Sequence, residues 1–226
     1  MVLLGMCIAP ALASAEDALP TPQARYSYII GLQVGEEMKS FPGGLNVDAF
    51  IKGMKVTMEN GKALLTPEQV AATKQEFLEK VRSESVRKLA EEAGKNKDAE
   101  RAFLAENKKK PGVVTTASGL QYMVLTEGSG ASPAATDKVS VHYRGTLLDG
   151  TEFDSSYTRK EPAVFMVKEV IPGWSEALQL MKEGGKYRLF IPAALAYGQD
   201  GVGDVIGPHA MLNFEVELLK VEKAAK

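Results

Sequence analysis

Polar side chains that could make or break bonds are sparse in this chain. The two histidines stand in unrelated contexts: His142 alternates with Val141 and Tyr143 and so points to the other face of the run, while His209 follows Gly207-Pro208 in a loop. Such a pair makes a poor zinc site, and each reads as a surface or capping histidine rather than a base. No catalytic triad or metal cluster is visible. What the sequence offers instead is aromatic: VIPGWSEAL, residues 170–178, holds the only tryptophan, Trp174, directly after Pro172-Gly173. Trp174, Ala177, Leu178 and Met181 recur at i, i+3, i+4 and i+7, the pattern of a short helix laying one face on a core. A lone tryptophan ordinarily fills a core, so its neighbours decide whether Trp174 does more.

Those neighbours lie on strands. From Ser118 onward the pattern has period two: Leu120, Tyr122 and Val124, then Val139, Val141 and Tyr143, alternate with polar positions. Asp149-Gly150 closes a hairpin between residues 139–147 and 151–154, and residues 187–191 and 211–221 add further strands. The C-terminal half is therefore expected to be an antiparallel sheet with one short helix, the one beginning at Trp174.

Read together, VHYRGTLLDGTEFDSS (141–156), PAVFMVKEVIPGW (162–174) and AYGQDGVGDVIGPHAMLNFEVELL (196–219) resemble the FK506-binding-protein family of peptidyl-prolyl isomerases. Order, spacing and residue type agree across three separated blocks between about Ser118 and Val221. The resemblance implies a half-barrel sheet wrapped on one helix, with Tyr143, Phe153, Val170, Ile171, Trp174 and Phe214 lining an apolar pocket. Trp174 would be the floor beneath a substrate proline ring. Asp154 and Tyr197 would stand at the rim, Tyr197 bonding one substrate carbonyl and the Ile171 N–H another, with Ile206 closing the pocket from its loop. Phe165 matches a family aromatic near the site. Two positions depart from the human cytosolic member: Ala163 stands where that protein has a pocket Phe, and Val202 replaces a loop His. Both leave the pocket wider, and the affinity for macrocyclic inhibitors such as FK506 and rapamycin open.

The chemistry of such a site needs no nucleophile, cofactor or metal. Rotation about an X-Pro bond faces a barrier of about 18–20 kcal/mol because amide resonance is lost halfway. An apolar cavity favours the twisted imide, which has lost the charge separation of the planar amide, and hydrogen bonds can hold the flanking carbonyls in the rotated geometry. A millionfold acceleration asks for roughly 8 kcal/mol of selective stabilisation. An Asp after a hairpin strand often just satisfies turn amides; Asp154, with Phe153 before it and Tyr197 elsewhere, is assigned to the site.

The N-terminal half is helical. Tyr26, Ile30, Val34, Met38 and Phe41 recur at helical spacing up to Pro42-Gly43-Gly44. Asn46 can cap a second helix, on which Val47, Phe50, Ile51, Met54 and Met58 line one face before Asn60-Gly61. Two such short helices cannot bury both stripes alone, so a homodimer is expected, with Gly31 and Gly35 permitting close approach and Met38, Met54 and Met58 supplying an adaptable surface. Thr66-Pro67-Glu68-Gln69 is a capping box with Pro at the first helical position. From Val70 to about Lys110 there is no Pro, and charged residues dominate, with only sparse apolar positions such as Phe77, Val81, Leu89 and Phe103. This predicts a solvated connecting helix about 60 Å long, with Gly94 a weak point and Pro111-Gly112 its stop. This half resembles the dimeric exported branch of the family, the macrophage infectivity potentiators and periplasmic FkpA-like proteins. The expected layout is a signal peptide over 1–15, a dimerisation region over 16–65, the connecting helix over 66–110 and the isomerase domain over 111–226.

Bulk properties exclude other classes. The chain has 226 residues, 45% hydrophobic and 25% charged with net charge -2, which is ordinary for a soluble globular protein. Lys and Glu are interleaved, leaving no basic stripe for nucleic acid. The opening MVLLGMCIAPALASA is too short to span a bilayer and ends in Ala13-Ser14-Ala15, a secretory signal. No Lys or Arg precedes its apolar run, so either the n-region is minimal or the start lies upstream. Cys7, the only cysteine, would leave with the signal, and Leu4-Gly5-Met6 before it make a poor lipoprotein site. The expectation is thus an exported enzyme, periplasmic or associated with the outer membrane, acting on X-Pro bonds of unfolded or folding proteins and serving as a chaperone when dimeric. The alternative is a non-enzymatic chaperone or binding module on the same fold. Retention of Tyr143, Phe153, Asp154, Ile171, Trp174, Tyr197 and Phe214 together argues for activity.

Overall fold

The computed structural model describes residues 18–224. The signal expected over 1–15, with Cys7, lies outside the described residues. The chain forms two compact units, one up to Ser83 and one from Glu84, so the division falls inside the long helix.

In the first unit, helix α1 (Pro22–Met38) starts on Thr21, whose hydroxyl accepts from Ala24 N, and has Pro at its first position. Phe41 lies beyond the end of α1 and stacks on Phe77 with centroids 5.2 Å apart. Gly43 and Gly44 turn the chain with φ of 77° and 78°, a region that only glycine enters freely. Helix α2 (Val47–Met58) is capped by Asn46, whose Oδ1 accepts from Ala49 N at 2.9 Å. Neither helix buries a residue.

Helix α3 (Pro67–Asn107) runs unbroken for 41 residues through Gly94. Thr66 and Gln69 form the reciprocal capping box at its start: Thr66 N donates to Gln69 Oε1 at 2.9 Å, and Gln69 N to Thr66 Oγ1 at 3.3 Å. Its closing turns differ from the solvated spacer that the charge pattern predicts. Phe103 packs on Phe190 at 5.5 Å, and Asn107, almost wholly buried, donates to Gln121 Oε1, while Gln121 Nε2 donates back to Leu104 O. Polar residues anchor this end, which hydrophobic periodicity does not register.

The second unit is a seven-stranded antiparallel sheet: β1 (Val113–Thr115), β2 (Gln121–Thr126), β3 (Lys138–Thr146), β4 (Glu152–Ser155), β5 (Ala163–Met166), β6 (Lys186–Ile191) and β7 (Leu212–Glu222). The order is β1-β2-β6-β7-β3-β4, and β5 also pairs with β3. Strand β3 meets β4 at its end and β5 at its start because the chain between them leaves the ladder in one helical turn, α4 (Ser156–Arg159). Ser156 fills the break: its hydroxyl takes the Tyr143 N–H at 2.8 Å and lies 2.9 Å from His142 Nδ1. His142 accordingly faces away from the core and stacks on Tyr157. Helix α5 (Pro172–Leu180) lies on the sheet, burying Trp174, Ala177 and Leu178 against Leu189, Ile191, Val216 and Leu218. Strands β1 and β5, of three and four residues, are too short to show a period-two pattern. No helix among the described residues is long and apolar enough to cross a membrane.

Candidate active site

Two glycines set the geometry around Trp174. Gly145, on β3, pairs with Phe214 on β7 and with Asp154 on β4. A Cβ at Gly145 would lie 2.7 Å from both Phe153 Cζ and Phe214 Cε1, so only glycine lets these rings meet, edge to face at 5.4 Å. Gly173 lies so close to Ile191 that no Cβ fits between them, which seats the first turn of α5 directly on β6. Pro172 opens that turn, and the Ile171 carbonyl accepts from Trp174 N at 2.9 Å and Ser175 N at 3.0 Å.

Three rings then stand upright on the indole. Trp174 is perpendicular to Tyr143 at 5.2 Å and nearly so to Phe214 at 5.1 Å and Phe165 at 5.7 Å. Edge-to-face packing suits the negative ring faces and positive edges of aromatic groups. Trp174 Nε1 is buried and has no hydrogen-bond partner among the described residues. Phe153, Phe165, Val170, Ile171 and Ala163 pack partly buried around this nest, and Ile206 is buried in the same core. Tyr197 stays well exposed, as does Val202.

A polar group braces one wall. Tyr143 donates its hydroxyl to Asp154 Oδ2, Asp154 Oδ1 pairs with Arg159 Nη1, and Arg159 Nη2 donates to the Tyr143 hydroxyl at 2.8 Å. Burial pushes the Tyr143 phenol up, and the bond to Asp154 adds to that, with Arg159 opposing. Burial also pushes the Asp154 carboxyl up, but the bonds from Tyr143 and Arg159 outweigh it and leave the carboxyl below its usual value. The residues that the sequence assigns to the site are thus brought together in three groups: the nest of Tyr143, Phe153, Phe165, Val170, Ile171, Trp174 and Phe214, with Ile206 buried beneath its loop; Asp154 tied to Tyr143; and Tyr197 on the adjoining loop. Arg159 and Gly145 stand in contact with these groups and are missed by sequence reasoning. Arg159 reaches Asp154 across a turn of no regular period, and a strand glycine signals only a close approach of unspecified partners. The arrangement groups aromatic faces and edges around one buried indole, with the Tyr143, Asp154 and Arg159 hydrogen-bonding groups beside it.

Residues 130–219 match the family model described as FKBP-type peptidyl-prolyl cis-trans isomerase, and residues 23–124 match the domain that lies amino-terminal to it. The outer membrane protein MIP of Legionella longbeachae is 41% identical over 224 residues, 99% of this chain and 96% of that protein. The chain belongs to the FKBP-type peptidyl-prolyl isomerase family. This isomerase is also 45% identical to the FKBP-type 22 kDa peptidyl-prolyl cis-trans isomerase of Escherichia coli, over 89% of the chain and 96% of that protein. The crystal structure of FkpA from Escherichia coli superposes with a TM-score of 0.76 at 36% identity, over 91% of this chain and 99% of that one. The protein is therefore an enzyme that rotates X-Pro bonds, and the reading as a non-enzymatic binding module is not favoured.

Proposed function

We propose that the proline ring of the substrate sits on Trp174, walled by Tyr143, Phe153, Phe165 and Phe214, with Val170, Ile171 and Ile206 completing the pocket. The carrying observation is the set of three rings held nearly perpendicular to one buried indole, whose Nε1 has no partner among the described residues. A bowl of this kind excludes water from the imide and favours its twisted, less polar form. Tyr197 and the Ile171 N–H bond the flanking carbonyls, and Asp154 fixes the Tyr143 wall from the rim. Because Trp174 is the only tryptophan, its fluorescence reports occupancy directly. Titration with FK506 or rapamycin should change the emission and saturate. An unchanged spectrum at a ligand concentration that abolishes activity would sink the assignment.

The second part of the reading concerns the first unit. Ile30, Val34, Met38, Phe50, Ile51 and Met54 line an open cavity of about 560 Å³ between α1 and α2, with Gly31 and Gly35 at its wall. Tyr26, Ile30 and Met58 are more than half exposed in a single copy. A second copy is the occupant these faces fit, giving an exported homodimer, periplasmic or at the outer membrane, that carries two pockets. A client held at both gains avidity with no new contact, which supports chaperone action on unfolded chains. Light scattering should give twice the chain mass for the full protein and the monomer mass for a fragment beginning at Glu84, where the second compact unit starts. A full chain that scatters as a monomer would remove this part of the reading.

A further inference from the structure

The turns of α3 within the second unit do more than anchor. Glu92, Asn96, Glu100, Phe103 and Asn107 follow one another at intervals of four, four, three and four, which places them on a single stripe of the helix. The lower part of the stripe, Phe103 and Asn107, packs on the sheet. The upper part meets the loop between β6 and β7, the segment that carries Tyr197 and Ile206. Glu100 Oε2 accepts the Ala193 N–H at 2.7 Å, capping the short 3-10 turn Ala193–Leu195 at the loop's entry. Asn96 Nδ2 donates to Pro208 O at 2.8 Å near its exit. The Glu92 carboxylate lies against Gly207. Between the two anchor points the loop is closed by its own bonds: Gly198 N to Ala193 O at 2.9 Å, Val202 N to Ile206 O at 2.8 Å, and His209 N to Gly198 O at 2.8 Å. His209 holds a left-handed φ of 54° to make that last bond.

We infer that Asn96 and Glu100 are positioning residues for the isomerase: from the long helix they fix both ends of the loop that carries Tyr197 and Ile206, and so set the rim of the pocket. Loops of this kind pay conformational entropy when they close on a ligand, and fixing their ends in advance reduces that cost. The effect should fall on substrate binding rather than on the rotation step. It also moves the start of the catalytic unit from Pro111 to before Glu92.

The inference rests on the assignment of Tyr197 to the site, so the test carries Tyr197→Phe beside the clamp variants, all in the full-length chain. Asn96→Ala, Glu100→Ala, their double variant and Glu100→Gln are assayed for kcat and KM on an X-Pro tetrapeptide, and amide hydrogen exchange is followed over residues 193–210. Loss of two hydrogen bonds should raise KM about five- to tenfold in the double variant with kcat within about twofold of the parent. Exchange should quicken over 193–210 and stay unchanged in the β3–β7 ladder. Glu100→Gln keeps an acceptor for Ala193 N and should restore most of the loss. Each single variant should show a smaller KM rise, so the test survives if the double variant does not fold. Faster loop exchange with unchanged KM, or unchanged exchange, would overturn the inference. If Tyr197→Phe raises KM and the clamp variants do not, the clamp alone fails; if none of them does, the loop does not belong to the site.

Discussion

The hydroxyl of Tyr143 donates to the carboxylate of Asp154, tying a wall of the aromatic nest to the rim strand. Arg159 bonds both groups; burial pushes the Asp154 carboxyl up, but the bonds from Tyr143 and then Arg159 outweigh it and hold the carboxyl below its ordinary value. With a lowered folded value, the bond is fully present above the ordinary carboxylate range and is lost only as pH falls through the depressed value. Macrocycle binding, followed through Trp174 emission, should therefore be insensitive to this group between about pH 5 and 8. Asp154→Asn should lower kcat/KM by about three- to tenfold, a modest loss because the pair is partly exposed. An unchanged kcat/KM in the folded variant would exclude Asp154 from the site.

Gly145 gives a test of packing that removes no functional group. Gly145→Ala forces Phe153 and Phe214 apart, since its Cβ would fall 2.7 Å from each ring. Overpacking of this kind costs about 1–3 kcal/mol, and here the strain falls on two walls of the proposed pocket. Activity should drop at least about tenfold at 25 °C with far-UV circular dichroism retained, and Tm should fall by several degrees. Parent-like kcat/KM would show that the walls can move without consequence.

Asp137 fastens the end of the chain. Its carboxylate accepts from Ala134 N at 2.7 Å, Ala224 N at 3.0 Å and Lys223 Nζ at 3.0 Å. The two backbone bonds, then Lys223, hold it down to about 2 from 3.8. A lowered carboxylate contributes stability above the unfolded value that is lost as pH falls through the folded one, so this contribution should fade between about pH 4 and 2. Asp137→Asn should lower Tm at pH 7 and flatten the Tm profile over that window. A variant that loses as much Tm as the parent between pH 4 and 2 would contradict the assignment.

Much of this was legible in the sequence because it depends on local rules. Asn46 and the Thr66/Gln69 box cap the helices they announce, and the i, i+3, i+4 run from Trp174 is the face of α5 that the sheet buries. Periodicity placed His142 away from the core, and there it stacks on Tyr157. What escaped depends on distant partners. Asn96 and Glu100 read as members of a charged helix, yet their partners Pro208 and Ala193 lie 112 and 93 residues away. Arg159 acquires its partners through a break in the β4–β5 edge, and Phe41 leaves the helical stripe that its spacing suggests to stack on Phe77. Polar contacts across such separations have no period to detect.

The central claim is that the nest around Trp174 is where the X-Pro bond turns. The direct measurement is kcat/KM of Trp174→Ala on an X-Pro tetrapeptide in a protease-coupled assay, with near- and far-UV circular dichroism recorded on the same sample. Truncation of a buried Trp costs about 3–5 kcal/mol of stability, so the assay belongs well below the variant's Tm. Removing the floor while the sheet remains should lower kcat/KM by at least about tenfold, equivalent to about 1.4 kcal/mol of transition-state stabilisation. A folded variant with kcat/KM within about twofold of the parent would contradict the account, because a tenfold rate loss is the least that a lost pocket floor entails on this energy scale.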